Sequence, residues 1–115
     1  MIKPTFPRAE TLTGRALARL IQGRHLTHRD FQTETATYRL SSYIEHIRKT
    51  HNWIVETTQE ESQTSDTTGR WAKYGRYSIE PELLAEYRKQ IGAERFDNFI
   101  KSVQQFENGG TNDRT

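Results

Sequence analysis

Residues 38–50 read Tyr38-Arg-Leu-Ser-Ser-Tyr-Ile-Glu-His-Ile-Arg-Lys-Thr50, and this stretch has the clearest helical periodicity in the chain. Leu40, Ile44 and Ile47 recur at intervals of three and four residues, so they share one apolar face of a predicted helix with Tyr43. At 100° per residue the opposite face is polar. It carries Tyr38, Ser42, Glu45 and Lys49, flanked by Arg39 and His46.

A first helix is predicted upstream by apolar residues at helical spacing. These are Leu12, Ala16, Leu17, Leu20 and Ile21. Thr11 or Thr13 can cap its start, and Gly23 is placed to end it. Residues 1–9, which contain Pro4 and Pro7, are predicted to form an extended arm.

A second, short helix over about residues 28–34 is predicted between these two. Thr27 followed by Asp30 is a weaker version of the capping box, and Phe31 is expected to face inward. The segment Thr33-Glu-Thr-Ala-Thr37 then favours a break, because hydroxyl residues prefer caps and turns. Thr35 or Thr37 is expected to cap the third helix.

A β-hairpin is predicted after the third helix. Residues 53–58 (Trp-Ile-Val-Glu-Thr-Thr) are aromatic and β-branched, as in a strand. Residues 59–69 form a polar loop without an apolar residue, and residues 70–79 alternate aromatic and basic side chains. The hairpin therefore spans residues 53–79 and has a long tip.

Two more helices are predicted at the C-terminal end. Pro81 suits a first helical position, and Gly92 is placed to end that helix. The last helix has a wide apolar stripe: Phe96, Phe99, Ile100, Val103 and Phe106. Two interpretations of the stripe stay open, namely packing on the first helix and contact with a second copy or a protein partner. Residues 108–115 are expected to be a flexible tail.

Composition limits the function classes. The chain has 115 residues, a net charge of +2 and no cysteine, so disulfides and thiol catalysis are excluded. No apolar run is long enough for a membrane span, and the N-terminus lacks the apolar region of a signal peptide. Neither a nucleophile elbow nor a phosphate-binding glycine loop is present. We expect a non-enzymatic protein of the cytoplasm, in a bacterial or phage-infected cell, without metal or cofactor.

Three helices followed by a two-stranded hairpin is the order of a winged helix-turn-helix, an α+β fold. The predicted organisation is an arm (1–9), this domain (10–79), C-terminal helices for packing or dimerisation (80–107) and a tail (108–115). In such a domain the third helix enters the DNA major groove and the hairpin, or wing, contacts the backbone alongside. The charge distribution also favours DNA binding by this domain. Residues 1–79 hold 12 basic and 8 acidic side chains, whereas residues 80–115 hold 5 basic and 7 acidic ones.

The stretch 26–79 also resembles a family of small winged helix-turn-helix proteins common in phages and prophages. The resemblance lies in Leu26-Thr-His-Arg-Asp30 and in the pattern Arg-Leu-x-x-x-Ile-x-x-Ile-Arg of residues 39–48. It continues in Trp53-Ile-Val-Glu56 and in the aromatic, basic return strand. Members are DNA-binding regulators or accessory factors, so the resemblance implies DNA binding. Residues 58–66 depart from it, being longer and more acidic than a phosphate-contacting wing requires.

We therefore expect a sequence-specific double-stranded DNA-binding protein, a small transcription regulator such as a repressor, of phage or mobile-element type. The expected DNA contacts are Thr35, Thr37, Tyr38, Arg39, Ser42 and His46 for reading bases, Arg70, Lys73 and Arg76 on the wing, and Lys49 and Arg29 on the backbone. Arg15 and Arg19 are expected to be solvated or to contact phosphate. One alternative is a DNA-architectural or recombination accessory factor. The other is a phage-encoded inhibitor of a host protein, favoured by the acidic hairpin tip (Glu60, Glu61, Asp66) and the apolar last helix.

Overall fold

A computed structural model of the chain describes residues 3–37, 39–63 and 71–109, with residues 60–63 and 71–74 described by their backbone. Within these ranges the chain is α+β, with five helices and an antiparallel hairpin. The elements are α1 (Leu12–Ile21), α2 (His28–Thr35), α3 (Leu40–Lys49), β1 (Glu56–Gln63), β2 (Trp71–Ser78), α4 (Pro81–Ile91) and α5 (Ala93–Glu107). Among these helices, none has both the length and the apolar character needed to cross a membrane.

The apolar faces of all five helices meet in one buried cluster. Trp53, in the connection between α3 and β1, is 1% exposed and lies at its centre. Its ring centroid is 4.9 Å from that of Tyr87 on α4 and 5.8 Å from that of Phe96 on α5. Burying apolar surface stabilises the fold in proportion to the area removed from water. The two C-terminal helices therefore complete the core that α1–α3 begin.

Several helix boundaries follow the predicted signals. Thr27 and Asp30 form a complete capping box at the start of α2. Pro81 is the first residue of α4, and Gly92 ends that helix with a φ of 110°, a value that favours glycine. The predicted cap of α3 is wrong. Thr35 belongs to α2, and Arg39 occupies the cap position without a side-chain capping hydrogen bond.

The hairpin begins later than predicted, at Glu56, and its ladder runs from the pair Glu56–Ser78 to the pair Gln63–Trp71. Residues 53–55 lie outside the ladder, and two of their backbone donors bond elsewhere. The N–H of Trp53 donates to the Ile47 carbonyl (3.3 Å), and the N–H of Ile54 donates to the Tyr87 hydroxyl (3.2 Å). Trp53 and Val55 thus pack in the core, Ile54 is 50% exposed, and polar residues form β1, because backbone pairing does not require apolar side chains. The predicted loop is wrong for residues 59–63, which belong to β1, and residues 64–69 of that loop lie outside the described residues together with Arg70.

A further backbone pairing, not predicted from the sequence, joins the hairpin to the helices. Leu26, between α1 and α2, forms an isolated antiparallel bridge with Tyr77 of β2. The two residues exchange N–H···O bonds of 2.8 Å in both directions. Because Tyr77 also pairs with Thr57 of β1, its strand is bonded on both sides. The base of the hairpin is therefore fixed against the α1–α2 connection.

The stripe on α5 packs within the chain. Phe96, Phe99 and Val103 are buried, while Ile100 and Phe106 are partly buried. The N-terminal arm covers part of the stripe, since the Phe6 ring stacks on Phe99 with centroids 4.8 Å apart. Of the two interpretations, packing on the rest of the chain is the one observed. Phe96, Phe99 and Val103 are therefore not available to another molecule, whereas contact with a second copy or a protein partner through the partly buried Ile100 and Phe106 stays a prediction.

Candidate nucleic-acid interface

The polar face of α3 is open to solvent. Leu40, Ile44 and Ile47 are buried on the opposite face, which fixes the rotation of the helix about its axis. The cap residue and four side chains of α3 on the outer side are accessible. They are Arg39, Ser42, Glu45, His46 and Lys49. We call these five residues the α3 polar face. Apart from Tyr38, which lies outside the described residues, it matches the face predicted from the sequence.

Arg48 fastens α3 to the base of the hairpin. Its Nε donates to the Val55 carbonyl (3.0 Å) and its Nη2 donates to the Thr57 hydroxyl (2.7 Å). The guanidinium carbon also lies 5.9 Å from the centroid of the Tyr77 ring. The sequence analysis did not assign a role to Arg48. Through these contacts it holds the α3 polar face and the hairpin in one fixed relation.

The turn between α2 and α3 engages both threonines that were predicted to read bases. The Thr35 hydroxyl donates to the Phe31 carbonyl (2.7 Å) inside α2, and the Thr37 hydroxyl accepts from the Arg39 N–H (3.4 Å). Both residues are half-buried, whereas Arg39 and Arg29 of α2 are exposed. The structure therefore places Arg39 on the α3 polar face and Arg29 on the surface of α2. The Thr35 hydroxyl is bonded within α2 and the Thr37 hydroxyl within the turn, and base reading by these two residues stays a prediction.

The α3 polar face carries its own ion pair. Lys49 Nζ lies 2.8 Å from Glu45 Oε2, one helical turn away, and this hydrogen bond holds the pKa of Glu45 below its usual range. Ser42, Glu45, His46 and Lys49 line a shallow groove of about 310 Å³ together with Thr50. The face thus presents hydrogen-bond donors and acceptors, with cations at both ends and one carboxylate between them.

Two histidines, His46 and His51, lie close together near the C-terminal end of α3. The His46 and His51 ring centroids are 5.3 Å apart, and His51 shares a hydrogen bond of 2.9 Å with the Thr5 hydroxyl of the arm. Burial lowers the pKa of His51, and neighbouring His46 lowers it further. Of the two rings His46 is the exposed one, as the sequence analysis expected.

The hairpin residues of the predicted site are described only in part. Arg76 is half-buried on β2, opposite Thr58 of β1, and engages in an interaction within the chain. The backbone of Lys73 pairs with Glu61, but its side chain is outside the described atoms, and Arg70 lies outside the described residues. Of the three cations predicted on the hairpin, Arg76 is therefore the one whose side chain the structure describes.

An ion-pair network that joins α1, α2 and α5 was not predicted. Arg19, 7% exposed, donates to Glu34 of α2 (2.7 Å) and contacts Glu107 of α5 (2.7 Å). Arg15 also donates to Glu107 (2.7 Å), and Arg24 contacts both oxygens of Glu34 (3.0 and 2.6 Å). The expectation that Arg15 and Arg19 are solvated or contact phosphate is wrong. They anchor α2 and α5 to α1 because a buried guanidinium requires carboxylate partners.

Comparisons of this chain with protein-family models, curated proteins and solved structures found no match. Among the residues that the structure describes, no cluster of three or more His, Asp or Glu side chains could hold a metal ion. Function is therefore inferred from the geometry of α2, α3 and the hairpin.

Proposed function

We propose that the chain is a winged helix-turn-helix protein that binds double-stranded DNA sequence-specifically and acts as a small transcription regulator of phage or mobile-element type. α3 inserts into the major groove, and the β1–β2 hairpin contacts the backbone beside it. The observation that carries the proposal is the exposed α3 polar face on a helix whose other face is buried. An α-helix of this kind fits the major groove of B-DNA, where base edges present donors and acceptors.

The surrounding structure supports this role by making α3 rigid. Arg48 joins it to the hairpin, and the Leu26–Tyr77 bridge joins the hairpin to the α1–α2 connection. A reading helix requires such support, because recognition of base edges depends on side chains held in register with the groove. The exposed serines on α3 agree with a reading function. Serine is a poorer helix former than alanine and contributes little to stability on an exposed face.

The cations divide into one base-reading and several backbone-binding candidates. Arg39, at the start of α3, can donate two hydrogen bonds to a guanine edge. Arg29, Lys49 and Arg76 are assigned to phosphates. If each of these three neutralises one phosphate, the logarithm of the binding constant falls with the logarithm of salt concentration with a slope of about −3.

The test is selection from a random duplex library at about 50 and about 200 mM salt, with affinities then measured for the enriched sequence. An enriched motif is expected, and its symmetry reports whether one or two copies bind. Binding without any motif, lost as salt rises, would favour an architectural or recombination factor instead. Absence of binding at the lower salt concentration would overturn DNA binding and favour a protein partner.

The substitution Arg39→Ala tests whether Arg39 reads a base or only attracts DNA through its charge. It is expected to weaken binding to the enriched duplex about 5–150-fold and to relax the preference at one base pair, with a smaller effect on random DNA. Arg95→Ala, which removes the same charge from an exposed position on α5, is the matched control and is expected to bind like the parent protein. Equal losses on enriched and random duplexes would contradict base reading by Arg39.

A further inference from the structure

Glu45 occupies the middle of the α3 polar face. Its side chain is 61% exposed and lies one helical turn from both Ser42 and Lys49. In the proposed complex this position faces the floor of the major groove, since Arg39 and Lys49 mark the two ends of the same face. Helical periodicity predicts Glu45 on this face, but Glu45 is not among the residues predicted to contact DNA.

In the proposed complex a carboxylate at this position weakens DNA binding unless it accepts a hydrogen bond from a base. DNA phosphates repel it, and its exposed ion pair with Lys49 contributes little to the stability of the helix. The fold does not require it either, because no buried group depends on Glu45 among the contacts of the described residues. The fold therefore leaves the Glu45 carboxylate available for recognition.

The chemistry of the major groove limits what a carboxylate can recognise. An ionised carboxylate only accepts hydrogen bonds, so the acceptor edges of guanine and the O4 of thymine repel it. Donors in this groove are the exocyclic amino groups of cytosine and adenine. In a base pair the adenine amino group is flanked by acceptors on both sides, its own N7 and the O4 of thymine, whereas the cytosine amino group has an acceptor on one side only, the O6 of guanine, so cytosine is the more favourable partner.

We propose that Glu45 is a specificity-determining residue of this surface and accepts a hydrogen bond from the exocyclic amino group of a cytosine. This inference rests on the proposed DNA-binding function. In the free protein Lys49 neutralises the carboxylate. On DNA the flexible Lys49 ammonium turns to a phosphate, and the cytosine amino group replaces it at Glu45. Guanine and thymine are disfavoured at that position because they present only acceptors, and adenine is disfavoured because acceptors flank its amino group on both sides.

The experiment compares motifs selected from a random duplex library by the parent protein, by Glu45→Gln and by Glu86→Gln. Glu86 is exposed on α4 and lines a different groove with Leu83 and Lys89, so its replacement is the matched control. The parent motif is expected to contain a position restricted to cytosine. With Glu45→Gln that position is expected to change to adenine, which glutamine reads through N6 and N7, while the rest of the motif is retained. The preference for cytosine over adenine is expected to fall at least about tenfold.

The outcomes separate the inference from the function on which it rests. If the parent protein enriches a motif and Glu45→Gln enriches the same one, cytosine recognition by Glu45 is overturned and DNA binding stands. Cytosine recognition is likewise overturned if Glu45→Gln raises affinity equally for all sequences, since Glu45 would then only repel phosphates. If the parent protein enriches nothing, the proposed function itself fails. Circular dichroism melting of both variants checks that each exposed substitution leaves the fold intact.

Discussion

Replacing Glu34 with glutamine is expected to destabilise the protein near neutral pH and to make its stability less sensitive to acid. Glu34 accepts hydrogen bonds from Arg24 and from the buried Arg19, and these contacts outweigh the effect of burial, lowering the pKa of Glu34 from 4.5 to about 2. The folded protein therefore holds the ionised form more strongly than the unfolded chain does. The resulting stabilisation is present above pH 4.5 and is lost as pH falls toward 2.

The magnitude follows from the pKa and from exposure. One pKa unit corresponds to about 1.4 kcal/mol, so the full lowering would be worth roughly 3 kcal/mol. The Glu34 side chain is 33% exposed, however, and solvent screens its ion pairs. We therefore expect Glu34→Gln to cost about 1–2 kcal/mol at pH 7. Glutamine keeps the size and one acceptor oxygen, so the loss reports mainly the charge.

The assay is urea unfolding of the parent protein and of Glu34→Gln at several pH values between 7 and 2. The difference in the free energy of unfolding is expected to shrink as pH falls below 4.5. Glu86→Gln, at an exposed position on α4, serves as the control and is expected to change stability by less than about 0.5 kcal/mol. A difference between Glu34→Gln and the parent that stays constant down to pH 2 would refute the ion-pair explanation.

Two further substitutions test how the ends of α1 and α3 are fixed. Gly14→Ala is expected to lower the free energy of unfolding by about 1–3 kcal/mol, although alanine favours helices, because the new Cβ would lie 2.2 Å from the Arg8 carbonyl oxygen. Arg48→Met is expected to cost about 1–3 kcal/mol, because it removes the donors that satisfy the Val55 carbonyl while retaining the apolar stem. Both are measured by urea unfolding at pH 7. A neutral or stabilising Gly14→Ala would mean that the arm is not held against α1, and an unchanged Arg48→Met would mean that water replaces the guanidinium.

The fold was predictable where a local signal decides a boundary. The capping box of Thr27 and Asp30, Pro81 at the start of α4 and Gly92 at its end all act through their own backbone neighbours. The rotation of α3 was predictable for a similar reason, since Ile44 and Ile47 repeat at the helical period. The exposed face followed from this periodicity.

The remaining features depend on contacts that are distant in sequence. From the sequence alone Arg19 resembles a surface cation, because its partners Glu34 and Glu107 belong to two other helices and are distant in sequence. The aromatic and β-branched residues 53–55 have the composition of a strand. The backbone N–H of Ile54, however, donates to the Tyr87 hydroxyl and not to a neighbouring strand. Local propensity is a weak guide at such positions because tertiary packing overrides it.

The central claim is that the α3 polar face binds DNA, and amide chemical-shift mapping tests it even while the target sequence is unknown. The isotope-labelled protein is titrated with a random-sequence duplex of about 20 base pairs at about 50 mM salt, where non-specific binding is favoured. We expect the largest shift changes at residues 39–49 and in the hairpin, with Arg39→Ala reducing them. Changes concentrated on α4 and α5, or no change at all, would contradict the account.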